Sequence, residues 1–395
     1  MNLFEDFGLS SQLIATIKKL GFTEPTQIQM QSIPHIMAGK DVIGESATGS
    51  GKTLAFGCGI AEHISPEAGL QALILTPTRE LAEQVKESLK QISYHKKLNI
   101  ISVYGGVSIS PQISELHRAN VVVATPGRIL DHLERRTINL SKVKLLVLDE
   151  ADRMFDMGFI EDVEQIIRAC PAKRQTLFFS ATISTRVKEL ANKYMIKPVD
   201  VSAENMVDPS KLKQVYYDVS RNIKLSLLVH LLKNEDSKLV MVFCNTRRTT
   251  DFVVKNLKAN NIDAIAIHGG LSQNNRTRTI GLFNDARVSV LVCTDVASRG
   301  LHIDNVSHIY NYDIPKDSKD YVHRIGRTAR AGESGKAISL LSEYDYDNFS
   351  RVMNDYHIFS IEKLEKPYLE RIISIRTDNF RRPQRREQGS YGRRR

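Results

Sequence analysis

The chain has 395 residues, 42% hydrophobic and 25% charged, so it reads as a folded globular protein of two or three domains and not as a fibrous or disordered one. Its 55 Lys and Arg outnumber 45 Asp and Glu, and the formal charge of +10 favours a polyanionic partner such as nucleic acid. Scattered Cys58, Cys170, Cys244 and Cys293 exclude a disulfide frame, no apolar run is long enough to span a bilayer, and Glu5 and Asp6 deny the N-terminus a basic-then-apolar leader, so a cytoplasmic protein is expected.

Leu13, Ile14, Ile17 and Leu20 fall at helical spacing behind a Ser10 cap, and Gly21 ends that helix. Phe22, Thr26 and Gln29 follow in the run Gly21-Phe22-Thr23-Glu24-Pro25-Thr26-Gln27-Ile28-Gln29. A Gln amide offers a donor beside an acceptor, which suits the N6 and N7 edge of adenine, and Phe22 is suited to lie against the ring. The same residues also read as an ordinary helix start with an exposed Gln.

The apolar run Asp41-Val42-Ile43-Gly44 leads into Ser46-Ala47-Thr48-Gly49-Ser50-Gly51-Lys52-Thr53 and then Leu54-Ala55-Phe56, where a strand turns into a helix. Gly49 and Gly51 allow backbone N–H groups to close around an oxyanion at the positive end of that helix. Lys52 is positioned to reach the outer phosphates of a nucleotide and Thr53 to hold Mg2+. The Gly-x-x-x-x-Gly-Lys-Thr pattern fits with Ser46 in place of the usual first Gly or Ala.

Six further apolar runs follow at 72–75, 100–104, 121–124, 145–148, 177–179 and 199–201. Near-continuous Val, Ile and Leu predicts α/β architecture, a parallel sheet covered by helices on both faces, with function gathered at the carboxyl ends of its strands. Those ends carry Pro77-Thr78-Arg79-Glu80-Leu81, Gly105-Gly106 and Thr125-Pro126-Gly127-Arg128, a rim of small residues, N–H groups and two arginines suited to gripping a sugar-phosphate backbone. After Leu148 comes Asp149-Glu150-Ala151-Asp152. Here Asp149 is suited to hold Mg2+ through water and Glu150 to orient and deprotonate an attacking water. Ser180 and Thr182, in Ser180-Ala181-Thr182, offer hydroxyls that relay the carboxylates' position.

In this order the motifs resemble those of the DEAD-box ATP-dependent RNA helicases of superfamily 2, as a prokaryotic-type minimal core. The resemblance implies two tandem RecA-like domains, each a parallel sheet flanked by helices. Residues 1–203 form the ATP-binding domain and 204–211 the linker. Residues 212–365 form a second domain with runs at 215–219, 239–243, 264–267, 288–292, 308–310 and 337–341, and 366–395 form a basic, disordered tail. The second half has no phosphate loop of its own and is expected to contribute residues to the first domain's nucleotide across a cleft.

In His323-Arg324-Ile325-Gly326-Arg327-Thr328-Ala329-Arg330, three arginines stand at helical spacing, and Arg327 and Arg330 resemble the family's arginine fingers. Gln273, Arg276 and Thr294 are implied to touch RNA, Gly300 the nucleotide. Asp152, Ser180, Thr182, His323, Arg324, Asp295 and Arg299 are implied to couple the two ligands. Three departures stand out: Ser46 for the family's Ala, Ala329 where Gly is commoner, and His302 for an Asp that contacts the ribose.

The implied activity is RNA-stimulated ATP hydrolysis, with Mg2+, by a monomeric core that binds single-stranded RNA or a short duplex without sequence preference and remodels it as the domains close. An RNA clamp or annealing factor, a DNA helicase and a kinase are the alternatives, the last disfavoured by the lack of an acceptor-substrate motif. From 376 to 395 the chain carries eight arginines against Asp378 and Glu387, which reads as a non-specific RNA-binding arm.

Overall fold

The computed structural model describes residues 3–46, 49–203, 212–298, 303, 306–329, 334–356 and 360–375. The first seven strands are β1 (Val42–Glu45), β2 (Ala72–Leu75), β3 (Ile100–Val103), β4 (Val121–Ala124), β5 (Leu145–Asp149), β6 (Gln175–Ser180) and β7 (Val199–Ser202). They pair in the order β3-β4-β2-β5-β6-β1-β7, every pair parallel. The second seven are β8 (Leu212–Asp218), β9 (Leu239–Cys244), β10 (Ala264–Ile267), β11 (Val290–Thr294), β12 (Val306–Asn311), β13 (Gly335–Leu341) and β14 (Ile361–Leu364). Their order, β10-β11-β9-β12-β13-β8-β14, repeats that of the first sheet strand for strand.

Both sheets are buried on both faces, as the unbroken apolar runs require. Successive side chains of a strand point to opposite faces, so Ala72 and Ile74 enter one core cluster while Leu73 and Leu75 enter another. In β9, Val240, Val242 and Cys244 likewise part from Leu239, Met241 and Phe243. All seven runs expected in the first half are strands, as are all six expected in the second. The seventh strand of the second sheet, β14, lies at an edge with Glu362 and Lys363 exposed, and so has no apolar run to announce it. The start of the predicted tail is also corrected. Residues 366–375 do not stand free: Leu369 and Ile372 pack against the second domain's core, because they supply the apolar surface that the arginine-rich residues after them lack.

Strand order separates two kinds of loop. The phosphate loop, Asp149-Glu150 and Ser180 follow β1, β5 and β6, which are neighbours; the rim of small residues and arginines follows β2, β3 and β4, also neighbours. One half of the carboxyl edge thus gathers the carboxylates and the lysine, and the other half the backbone-gripping loops. Residues 204–211, the expected linker, and residues 376–395 lie outside the described residues.

Candidate nucleotide site and the edges that flank it

At the end of β1, Gly49 and Gly51 take φ of 85° and 92°, the left-handed region that a side chain disfavours. Gly51 is also needed for room, since a Cβ there would lie 2.2 Å from Nε2 of Gln29. That contact shows where the Gln29 amide goes. Its Oε1 accepts from the Thr26 N–H at 2.9 Å, and its Nε2 donates to the Gly51 carbonyl at 3.0 Å. The Thr26 hydroxyl donates to the Ser50 carbonyl at 2.7 Å. Gln29 is fully buried and ties the phosphate loop to the helix Gln27–Met37, so the reading of an exposed Gln is overturned; one N–H and one lone pair remain for a base edge. Phe22 is 39% exposed.

Lys52 opens the helix Lys52–His63, and its buried ammonium donates to the Ser46 carbonyl at 2.6 Å. The Ser46 hydroxyl meets that of Ser50 at 2.8 Å, so the residue that departs from the family pattern closes the loop on itself. Thr53 stands half-buried in the first turn. Ala47 and Thr48 are outside the described residues. Lys52→Ala should weaken ATP binding by about tenfold or more while leaving the fold intact; nucleotide titration against a thermal melt separates the two effects.

Asp149 ends β5 and Glu150 follows at φ 54°, a strained left-handed residue at the start of the helix Ala151–Asp156. Both carboxylates are buried. Burial pushes Asp149 up to about 7, against the pull of Lys52, and burial likewise lowers Lys52 despite Asp149 and Glu150 nearby. The cradle by itself leaves both charges short of solvation, which a bound polyphosphate and its cation would supply. Among the described residues no group of three or more His, Cys, Asp or Glu could hold a metal. The donors present, the Thr53 hydroxyl and Asp149, are few and hard, as suits Mg2+ that keeps its waters and binds phosphate oxygens.

Glu150 has a partner that no local pattern announces. Arg153, 1% exposed, donates from Nη1 to Glu150 Oε2 at 2.8 Å. In the sequence Arg153 is one more charge on a helix; in the fold it counters the carboxylate assigned to water activation.

Ser180 and Thr182, the hydroxyls expected to act as a relay, both bond to Asp152. Asp152 donates its N–H to the Ser180 hydroxyl at 3.1 Å, and its Oδ2 accepts from the Thr182 N–H at 3.0 Å and hydroxyl at 3.1 Å. The Ser180 hydroxyl donates to the Thr182 carbonyl at 2.8 Å. Although burial raises it, Asp152 is held below the usual carboxylate range by Arg153, by His323 of the second domain and by the Ser180 hydroxyl.

The arginine-rich motif needs correction in its local structure. The helix Ser318–Ile325 stops at Gly326, so Arg327 lies on the following turn and not on one helical face with Arg324. Arg324, 1% exposed, donates to both Asp295 carboxylate oxygens at 2.6 and 2.7 Å, to Asn311 and Asn245 side chains at 3.1 and 3.0 Å, and to the Asp313 carbonyl at 2.6 Å. Every one of these partners belongs to the second sheet's carboxyl edge, so Arg324 and Asp295 brace that domain internally. Arg327, 2% exposed, lines a small cavity with Asp295, Asp320, His323 and Arg324 from its own domain and Arg153 from the first. Ala329 has φ 54°, which explains why Gly is commoner there; the departure costs about 1 kcal/mol in backbone strain. Arg299, Gly300, His302 and Arg330 lie outside the described residues.

On the other half of the edge, Pro77 is buried and the Thr78 hydroxyl caps the helix Arg79–Ile92, accepting from the Leu81 N–H at 3.3 Å. The Arg79 guanidinium lies over Gly106, where a Cβ would stand 2.0 Å from Nη1. Arg128, after Thr125, Pro126 and exposed Gly127, donates to the Val107 carbonyl at 3.0 Å beside Gly105. The second domain repeats the device: Thr246 caps the helix Arg247–Ala259 and Arg247 lies against Gly269, 3.3 Å from a Cβ there. Sequence reasoning misses Arg247, although a Thr-Arg pair follows both β2 and β9 and a Gly-Gly pair follows both β3 and β10, strands that occupy matching places in the two sheets. Gln273 and Arg276 face the first domain, where the buried Glu80 carboxylate accepts from Gln273 at 3.1 Å and pairs with Arg276 at 3.1 Å. Glu80 is thus a further missed residue. Thr294, half-buried, ends β11.

Residues 26–190 match the model of the DEAD/DEAH box helicase family, and residues 223–332 that of the helicase conserved C-terminal domain. The chain is similar to the DEAD-box ATP-dependent RNA helicase CshA of Bacillus licheniformis, 43% identical over 94% of this chain and 76% of the relative. CshA of Bacillus subtilis is 42% identical over 94% and 75%. Among solved structures, S. cerevisiae Dbp5 bound to RNA and ADP BeF3 superposes with a TM-score of 0.83 at 29% identity, over 92% of this chain and 96% of that one. A DEAD box protein from Methanococcus jannaschii, 40% identical over 92% and 99%, superposes with 0.57.

Proposed function

This chain belongs to the DEAD-box ATP-dependent RNA helicases, and from that premise we propose that it closes its two domains over ATP and RNA together and so remodels short RNA duplexes and RNA–protein complexes. The observation that carries the reading is the cavity where Arg327 and His323 of the second domain meet Arg153 of the first, beside Asp152 and Glu150. Residues of the second domain there complete a site whose phosphate loop lies wholly in the first.

The residues then divide the work. Phe22 and the remaining donor and acceptor of Gln29 take the base, and the loop at 46–53 with Lys52 takes the phosphates. Bound Mg2+, held by Thr53 and through water by Asp149, would shield charge on those phosphates. Glu150 orients a water and removes its proton, and Arg327, with Arg330, neutralises charge on the leaving phosphate. Asp152, Ser180, Thr182 and His323 make the two domains' positions depend on one another. Arg324 and Asp295 hold the turn from which Arg327 projects.

Arg79, Gly105, Gly106, Thr125, Gly127 and Arg128, with Arg247, Gln273, Arg276 and Thr294, form the RNA track. Backbone contact of this kind reads no bases, and 2'-hydroxyl contacts favour RNA over DNA. Because Glu80 links Gln273 and Arg276 to the first domain, RNA seated there favours closure and ATP favours RNA, a reciprocal coupling. Four buried free thiols suit the cytoplasm.

Strand displacement from a short RNA duplex in the presence of ATP tests the proposal. Release of the displaced strand is the expected result; ATP-dependent retention of RNA without release would make the protein a clamp, and equal activity on a DNA duplex would contradict the choice of RNA.

A further inference from the structure

The two sheets match strand for strand, and the match extends to groups at their carboxyl edges. The Ser46 N–H donates to the Ser180 carbonyl at 2.9 Å where β1 parts from β6, and the Val219 N–H donates to the Leu341 carbonyl at 2.9 Å where β8 parts from β13. Six residues after Ser46, Lys52 opens the helix Lys52–His63; five residues after Val219, Lys224 opens the helix Lys224–Asn234. Asp149 ends β5, and Asp313 follows β12, the strand in the same place. Burial raises both carboxyls, while Lys52 pulls on the first and Lys224 on the second.

What differs is the partner of the lysine. The Lys52 ammonium donates to a carbonyl of its own loop, whereas Lys224, 3% exposed, donates to Asp345 Oδ2 at 2.7 Å. The same oxygen accepts from the Ser342 N–H at 3.0 Å and hydroxyl at 2.7 Å, and Oδ1 accepts from the Ile314 N–H at 3.4 Å. Four donors thus converge on one buried carboxylate. They follow β8, β12 and β13, the counterparts of β1, β5 and β6, which lead into the first domain's phosphate loop, carboxylates and Ser180. The loop before Lys224 has no glycine and closes as a tight turn, with the Ile223 N–H donating to the Ser220 carbonyl at 3.0 Å. Such a loop wraps no triphosphate, so the donors suit a single small oxyanion.

We propose that the second domain holds an oxyanion site at the place where the first takes nucleotide phosphates, and that Asp345 fills it as a built-in anion that keeps inorganic phosphate out. A buried ammonium needs a counter-charge. Supplying it from the chain itself holds the domain together and closes the site to the phosphate that ATP hydrolysis releases. The parallel rests on the nucleotide reading above; the second domain's anion chemistry is measured independently of it.

The test is chemical rescue in the full chain. Asp345→Gly removes the equivalent of one acetate, and its melting temperature is read in acetate, in inorganic phosphate and in chloride at matched ionic strength. Both oxyanions should raise it by about 3 °C or more over chloride, beyond any rise in the unaltered chain, which reports what the same anions do elsewhere. Asp345→Asn keeps the side chain's shape and so fills the site without the charge; it should show no such gain. Nor should Lys224→Met combined with Asp345→Gly, which lacks the cation. If Asp345→Gly does not fold in chloride, the yield of refolded chain in each anion takes the place of the melt. A response no larger than that of the unaltered chain overturns the proposal, as does a gain that survives Lys224→Met. A gain in acetate without one in phosphate would make Asp345 a carboxylate brace and overturn it as well.

Discussion

Glu150→Gln should lower RNA-stimulated ATP turnover by about 10² to 10⁴-fold while leaving ATP and RNA binding close to wild type. The carboxylate stands at the carboxyl end of β5 next to Asp149, held in a left-handed backbone conformation and countered by Arg153. Gln keeps the size and one acceptor for Arg153 but cannot take a proton from water. The loss therefore falls on the chemical step, and the variant should hold RNA longer than wild type when ATP is present, because release depends on hydrolysis. Loss of the counter-charge to buried Arg153 is a separate, structural effect, and a thermal melt measures it. A Glu150→Gln protein with near wild-type turnover would remove the residue from this role.

Arg327→Ala should be as damaging by a different route. The residue is 2% exposed on the turn after Gly326 and borders Arg153 across the domain boundary. In the arginine-finger role proposed for it, Arg327 would stabilise charge that develops only as the phosphate leaves, an effect worth about 10³-fold or more. RNA-stimulated turnover should collapse by that order. ATP affinity measured without RNA should change little, since the phosphate loop lies in the other domain. A fluorescent-nucleotide titration beside steady-state turnover separates the two quantities, and a variant that loses ATP affinity and turnover in equal measure would mark Arg327 as part of the binding cradle.

What was legible in the sequence was whatever depends on local pattern. Unbroken apolar runs gave the two parallel sheets because a strand covered on both faces has no polar side to show. Gly49, Gly51 and Lys52 were legible because a tight loop before a helix admits few residues. The edge strand β14 was not, since Glu362 and Lys363 face solvent and imitate a loop.

Long-range pairing was hidden in each remaining case. The Gln29 amide suits an adenine edge and a peptide carbonyl equally well; only the fold brings Gly51 to it. Spacing groups Arg324 with Arg327, yet the Arg324 donors all turn inward to Asp295, Asn311, Asn245 and Asp313. Glu80 and Arg153 look like ordinary helix charges until the partner element is in place. Arg247 is the exception: the Thr-Arg and Gly-Gly pairs recur at matching strands of both sheets, so comparing one half of the chain with the other would have found it.

The central claim is that neither ligand's site is complete until both domains contribute to it, and ATP turnover with and without RNA tests this most directly. At saturating ATP, single-stranded RNA should raise turnover well above the basal rate, and DNA of the same sequence should do so much less. Turnover that is equal with and without RNA would contradict the account.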